Sequence, residues 1–360
     1  MRTGEAPRQV RGGFLVGRVG VFAGRVGVFA GRVGDWIILL LSRRQRIPVL
    51  QVQKTKEMEP ANLRDYIIHG ESWIALNSYM DTLQGGPLVA DAPKGQEEGY
   101  LPRRLHLNAQ KTMYLSIRLL LSVIRIGRCP RNLTVNSIVL TRPDFRPRFV
   151  GNVDFEQNPD NPTCDAAMSA LAGIFENILW SHLPEDESVP DEVHNLLYLM
   201  RQQDSFKLTE AIQYHSCLVP LENRGHLFLK EYQYTVDILR KIEPLNFRYV
   251  MTQLVYPRHW KIIAESNPYV QAVIERGDYD SLRSKESTCT PLELLKHAPT
   301  CHCLQDSANK SVPHGLGFEP KDMNHALYIM SEHLLASLQL ALHRVGHLAC
   351  LRTGFLFPWN

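Results

Sequence analysis

His297, Cys301, His302 and Cys303 crowd four zinc-competent side chains into one short stretch, and thiolate and imidazole are the ligands zinc prefers. Their spacing argues against a metal. Cys-x-Cys is tight for the chelate usually built from Cys-x-x-Cys, and no second Cys/His pair stands at a finger-like distance, so incidental thiols are expected. His343 and His347, at i and i+4, could hold a metal from one helix face, but no Glu stands beside the first and the zincin pattern is absent. A polar helix face is the expectation, with no metal and no cofactor.

Elements must position any such side chains. Apolar residues at helical spacing (Met113, Ile117, Leu120, Leu121, Ile124) predict a helix over Ala109 to Ile126, ended by Gly127 and Pro130. Leu133 to Leu140 and Arg148 to Val153 read as a hairpin-like pair of strands. Ile47 to Val52 is another β-type run, Asn62 a helix start, and Gln84 to Gly99 a loop because of its Gly and Pro content. Helices are expected at Ala166 to Trp180, Val193 to Arg201 and Glu222 to Arg240. One long last helix follows Pro320, with Leu327, Met330, Leu334, Leu338, Ala341 and Val345 on one face. The fold class is mainly α (α+β).

At 360 residues, 44% hydrophobic and 21% charged, the chain is long enough for two ordinary domains with a real core. A net charge of +3 is too weak to indicate nucleic acid on charge alone. Seven scattered cysteines, an odd number, point to reduced thiols and a cytoplasmic or nuclear setting. The apolar run Trp36 to Leu41 is far short of the roughly 20 residues that cross a bilayer, so no membrane association is expected. Residues 17–34 carry an undrifted repeat of GRVGVFA, which reads as a disordered leader upstream of a start such as Met58, and less as an organellar transit peptide.

Cys129-Pro-Arg-Asn-Leu-Thr-Val-Asn-Ser-Ile-Val-Leu140 resembles the catalytic-loop pattern of protein kinases. Val49-Leu-Gln-Val52 and Asn62-Leu-Arg-Asp-Tyr-Ile67 look like the strand and helix that flank a kinase hinge, and Leu196 to His215 is similar to the segment that ends in His-Pro-Phe-Phe. His215 to Arg224, Trp260, Leu294-Leu-Lys296, Leu316 to Met323 and the Leu334-Leu335 helix then fall in the order of the kinase-extension nuclease domain. That domain is shared by the inositol-requiring kinase/endoribonuclease and the 2-5A-dependent ribonuclease. The resemblance implies a leader over 1–46, a truncated kinase-like C-lobe over 47–217 and an all-α nuclease-like domain over 218–355.

The kinase machinery implied by the resemblance is eroded. Outside the leader there is no glycine-rich phosphate loop, and the catalytic aspartate is matched by Asn132, which cannot take a substrate proton. Arg131 is retained, Ser137 replaces the metal-binding Asn, and Asp154 matches the metal-binding Asp only through an insertion. In the nuclease-like part the Arg-Asn pair falls on Pro299 and Thr300. Lys296 and His302 are weak candidates for residual cleavage, and Tyr279 is too far upstream for the family's tyrosine. The expected role is therefore a catalytically inactive interaction or dimerisation module, forming a homodimer or a heterodimer with an active relative. RNA is a weak candidate partner and DNA is not expected. A weak endoribonuclease acting on RNA, or a pseudogene-like product, is the alternative.

Overall fold

The computed structural model describes residues 62–70, 72–90, 103–255, 320–330, 333–351 and 353–359, with isolated positions between 262 and 271. The repeat, the run Ile47 to Val52, Trp260 and Leu294 to Lys296 lie outside the described residues. Helix makes up 61% of what is described, with small sheets beside it, as the mainly α expectation required. No helix among the described residues is long and apolar enough to cross a membrane. Glu59–Asn360 forms one compact unit.

Asn62 caps a single 3-10 turn, Leu63–Tyr66, where Asn62 and Asp65 exchange side-chain and main-chain bonds as a capping box. Strand β1 (Trp73–Ala75) leads into helix α1 (Leu76–Asp81). Next, β2 (Leu88–Ala90) and β3 (Arg103–Leu105) pair antiparallel, with Leu88 opposite Leu105. This corrects the loop reading of Gln84 to Gly99. Gly85 and Gly86, at φ 80 and 78, make the turn that composition registered, but Leu88 is buried in the core and is held there by pairing.

Helix α2 (Leu107–Arg125) starts at His106, whose ring accepts from the Asn108 N–H at 3.1 Å. The five predicted apolar positions are all buried, yet so are Tyr114, Leu119 and Val123, so the helix is covered on most of its circumference. It is the axis of the core. After it come β4 (Arg128–Pro130), β5 (Ile138–Thr141), β6 (Arg146–Phe149) and β7 (Phe155–Gln157). The hairpin expected here exists as β5 and β6, paired from Ile138–Phe149 to Thr141–Arg146, with β1 on the other side of β5. Its first arm begins later than predicted because Thr134 and Ser137 close a 3-10 turn over Val135–Ser137. A second ribbon joins β4 to β7, Cys129 opposite Glu156.

Helix α3 (Asn161–Trp180) begins ahead of the apolar run, since Asp160 accepts from the Thr163 N–H at 2.9 Å and Pro162 suits the first turn. Asp165 holds it to the chain ahead, accepting from the Asp204 N–H, the Ser205 hydroxyl and the Phe206 N–H at 2.8–2.9 Å. Helix α4 (Asp191–Met200) and the short α5 (Thr209–Gln213) follow. Helix α6 (Leu221–Gln233) runs into a π-helical turn, Tyr234–Leu239, and a last turn, Arg240–Ile242, in place of the uniform α-helix expected. Helix α7 (Pro244–Thr252) comes next.

Two helices, α8 (Pro320–Met330) and α9 (Leu334–Arg344), replace the single long C-terminal helix predicted. The shared stripe does not require continuity: Leu334, Leu338 and Ala341 are buried, but Val345 is already the C-cap. The chain then returns to α2, where Phe357 stacks on Tyr114 with ring centroids 4.6 Å apart.

Candidate functional site

The ribbon of β4 and β7 places the Arg131–Asn132 loop. Arg131 donates its main-chain N–H to the Asp154 carbonyl at 2.9 Å, and its guanidinium reaches the Glu156 carboxylate at 2.8 Å. Asn132 takes a left-handed backbone, φ 51, a conformation Asn tolerates better than most residues. Beside it lies a recess of about 440 Å³ lined by Pro130, Leu133, Thr163, Ala166 and neighbours, with Glu156 as the one carboxylate among the lining residues. That carboxylate is already paired. Ser137, buried, accepts from the Thr134 N–H at 2.9 Å and lies 3.2 Å from the Thr134 hydroxyl, so its oxygen serves a cap. Beneath the ribbon, burial pushes the Cys129 thiol up to about 12, with Cys164 adding to the shift, which leaves it protonated and inert at neutral pH.

A second cluster is sealed in the interior. Glu192 of α4 and Arg224 of α6 form an ion pair at 2.9 Å with side chains 2% and 7% exposed. The Ser216 hydroxyl donates to Glu192 at 2.5 Å, Arg224 donates to the Val219 carbonyl at 3.1 Å, and the guanidinium stacks 4.4 Å over the Tyr328 ring. His215 bonds Asn195 at 3.1 Å, and burial, then the nearby Arg224 charge, pull it down to about 3. It is therefore a neutral imidazole at neutral pH. Gln110 of α2 donates to the Cys217 carbonyl at 2.9 Å, and Gln339 of α9 accepts from the Ser216 N–H at 2.8 Å. Closed to solvent, this network ties five helices together and presents no reactive group to a ligand.

Sequence reasoning passed over a third arrangement. The Tyr234 hydroxyl bonds His347 Nδ1 at 2.7 Å, and His347 Nε2 bonds Glu243 at 3.1 Å. Hydroxyl, imidazole and carboxylate stand in the order of a proton relay. Burial, then Cys350 and Glu243, push Tyr234 up to about 12, while hydrogen bonds from His347 and Asn246 hold Glu243 below the usual carboxylate range. Tyr234 is 7% exposed, so its hydroxyl is turned to the imidazole and away from solvent. The π-helical turn carries Tyr234, and such turns frequently mark special geometry. The partners are 113 and 104 residues apart in the chain, so no local motif could have joined them.

The expected polar face shared by His343 and His347 is corrected by the same geometry. Helix α9 ends at Arg344 and Gly346 turns the chain at φ 77, so the two imidazoles part. His343 meets the Lys207 carbonyl at 3.0 Å, far from the relay's partners in sequence. Lys296, His302 and Tyr279, like His297, Cys301 and Cys303, lie outside the described residues. Among the described residues no group of three His, Cys, Asp or Glu side chains could hold a metal. Compared with protein-family models, curated proteins and solved structures, the chain gives no match in any of the three.

Proposed function

We propose that this chain is a non-catalytic interaction module, a degenerate kinase-like lobe followed by a nuclease-like helical region that associates with itself or with an active relative. The observation that carries it is an apolar surface left open along α7 and beside the turn Arg240–Ile242. Leu245 and Tyr249, one turn apart on α7, are 77% and 39% exposed, and Ile242, just ahead of the break at Glu243, is 55% exposed. An isolated exposed Leu needs no explanation, whereas two large apolar side chains one turn apart on a helix, with a third close by in the chain, suit a partner surface. The Arg131–Glu156 pair supports the same reading, because it occupies the only carboxylate among the described residues lining the recess beside Asn132 and leaves an amide where a base would have to stand.

The test is sedimentation equilibrium of the full chain and of Leu245→Asp. Reversible self-association that the substitution abolishes, with an unchanged circular dichroism spectrum, is the expected result. A wild-type monomer at every concentration, and no complex with an active relative, would end the reading. Phosphate transfer from ATP with magnesium to a generic protein substrate is expected to be absent, and transfer abolished by Asn132→Ala would show that the loop still works.

A further inference from the structure

Four cations meet in one recess that none of the expected sites includes. It holds about 570 Å³ between α2 and the β5–β6 hairpin, with Pro358 and Trp359 at one side. Lys111, Arg118 and Ser122 lie on the one stripe of α2 that the core leaves open, at i, i+7 and i+11. Arg146 and Arg148 face them from β6, two residues apart and hence on the same side of the strand. Among the described residues that line it, Asp144 is the only carboxylate beside these four cations. The Asp144 carboxylate meets Arg146 at 3.9 Å with both side chains about two-thirds exposed, a pairing that water weakens. Lys111 reaches the Asp144 carbonyl at 3.5 Å, which draws it toward the same end of the recess.

From this juxtaposition we infer that the recess is a binding site for a phosphate monoester, carried on a phosphorylated side chain of a partner polypeptide. Cations brought together repel one another, and a compact dianion among them relieves that repulsion. Three of the four are arginines, whose planar forks match phosphate oxygens two at a time, and the Ser122 hydroxyl can add a neutral donor. The cluster is compact. A nucleic-acid strand needs cations laid along an extended track, with about 6–10 phosphate contacts for strong binding, and the formal net charge of the whole chain is only +3. The edge of β6 away from β5 meets the chain at Ile67, the Ile68 N–H donating to the Phe149 carbonyl at 2.9 Å, and Pro147 has no N–H to offer, so recognition in the recess falls to the side chains. The inference gives a chemistry to the partner of the interaction reading and rests on that reading.

Fluorescence anisotropy of the full chain tests it, using a degenerate peptide pool with one central phosphoserine and the same pool unphosphorylated. The phosphorylated pool should bind at least about tenfold tighter. Arg146→Glu, at an exposed position, and the double variant Arg118→Ala/Arg148→Ala should each remove most of that preference while melting like the wild type. Equal binding of the two pools, or a preference untouched in both variants, overturns the inference. Inorganic phosphate that binds as tightly as the phosphopeptides would overturn the peptide assignment, and a single-stranded RNA that binds more tightly than they do would overturn it in favour of nucleic acid. Sedimentation of the wild-type chain keeps the two readings apart: self-association without phosphopeptide binding defeats this inference alone.

Discussion

Arg224 and Glu192 show how much depends on the partner of a buried charge. Removing Arg224 leaves the Glu192 carboxyl group in the interior without its ion-pair partner, the Ser216 hydroxyl still donating to it. Arg224→Met should therefore cost about 3–5 kcal/mol in urea unfolding, whereas Arg224→Met with Glu192→Leu should recover much of that loss. If the double variant is as unstable as the single one, the stranded carboxylate is not the cause. Two other buried groups act in opposite senses. His215 is held down at about 3 against 6.5 when unfolded, so the unfolded chain binds the extra proton and stability falls as pH drops below about 6.5. Burial raises Glu231 well above 4.5, and neither of its oxygens has a hydrogen-bond partner of normal geometry among the described residues. There the folded state binds the extra proton, so its contribution is whole below about 4.5 and is lost as pH rises. Between about pH 4.5 and 6.5 the two slopes, each at most about 1.4 kcal/mol per pH unit, oppose each other. Glu231→Gln should expose a loss of stability on acidification across this window, and His215→Gln a loss on alkalinisation. Unfolding curves at three pH values decide it.

At the scale of elements, the relay of Tyr234, His347 and Glu243 fastens the π-helical turn after α6 to the chain beyond α9. If its work is mechanical, Tyr234→Phe should cost about 0.5–1.5 kcal/mol, the worth of one hydrogen bond, and leave phosphopeptide binding and self-association unchanged. A loss of either without a loss of stability would give the relay a functional part. The helix α2 was legible in the sequence because Met113, Ile117, Leu120, Leu121 and Ile124 repeat at the helical period. Its central place was not, because Tyr114, Leu119 and Val123 become a second buried face only when α3, β6 and the C-terminal chain pack around it. The β2–β3 ribbon was hidden for a related reason. A three-residue strand carries no period to read, and its turn glycines advertise a loop.

Across the whole molecule, the C-terminal chain is part of the core. Phe357 is 2% exposed, stacks on Tyr114 and meets Tyr214 with centroids 5.5 Å apart. Phe357→Ala should cost about 3–5 kcal/mol by thermal or urea unfolding, in the range of large core truncations. A loss below about 1 kcal/mol would show that the tail is dispensable.

Local properties were determined by the sequence alone: a mainly helical chain, a hairpin after the first long helix, and at Asn132 an amide side chain that cannot act as a base. Each depends on neighbours within a few turns of chain, where periodicity, capping and side-chain chemistry are written directly. The tertiary structure alone decided the rest. It paired Arg131 with Glu156, divided His343 from His347, and enclosed Glu192 with Arg224. It also set Lys111 and Arg118 of a helix against Arg146 and Arg148 of a strand. Charges distant in sequence become a site only when packing cancels that distance, because electrostatic and hydrogen-bond energies fall off over a few ångströms in space and do not depend on separation along the chain.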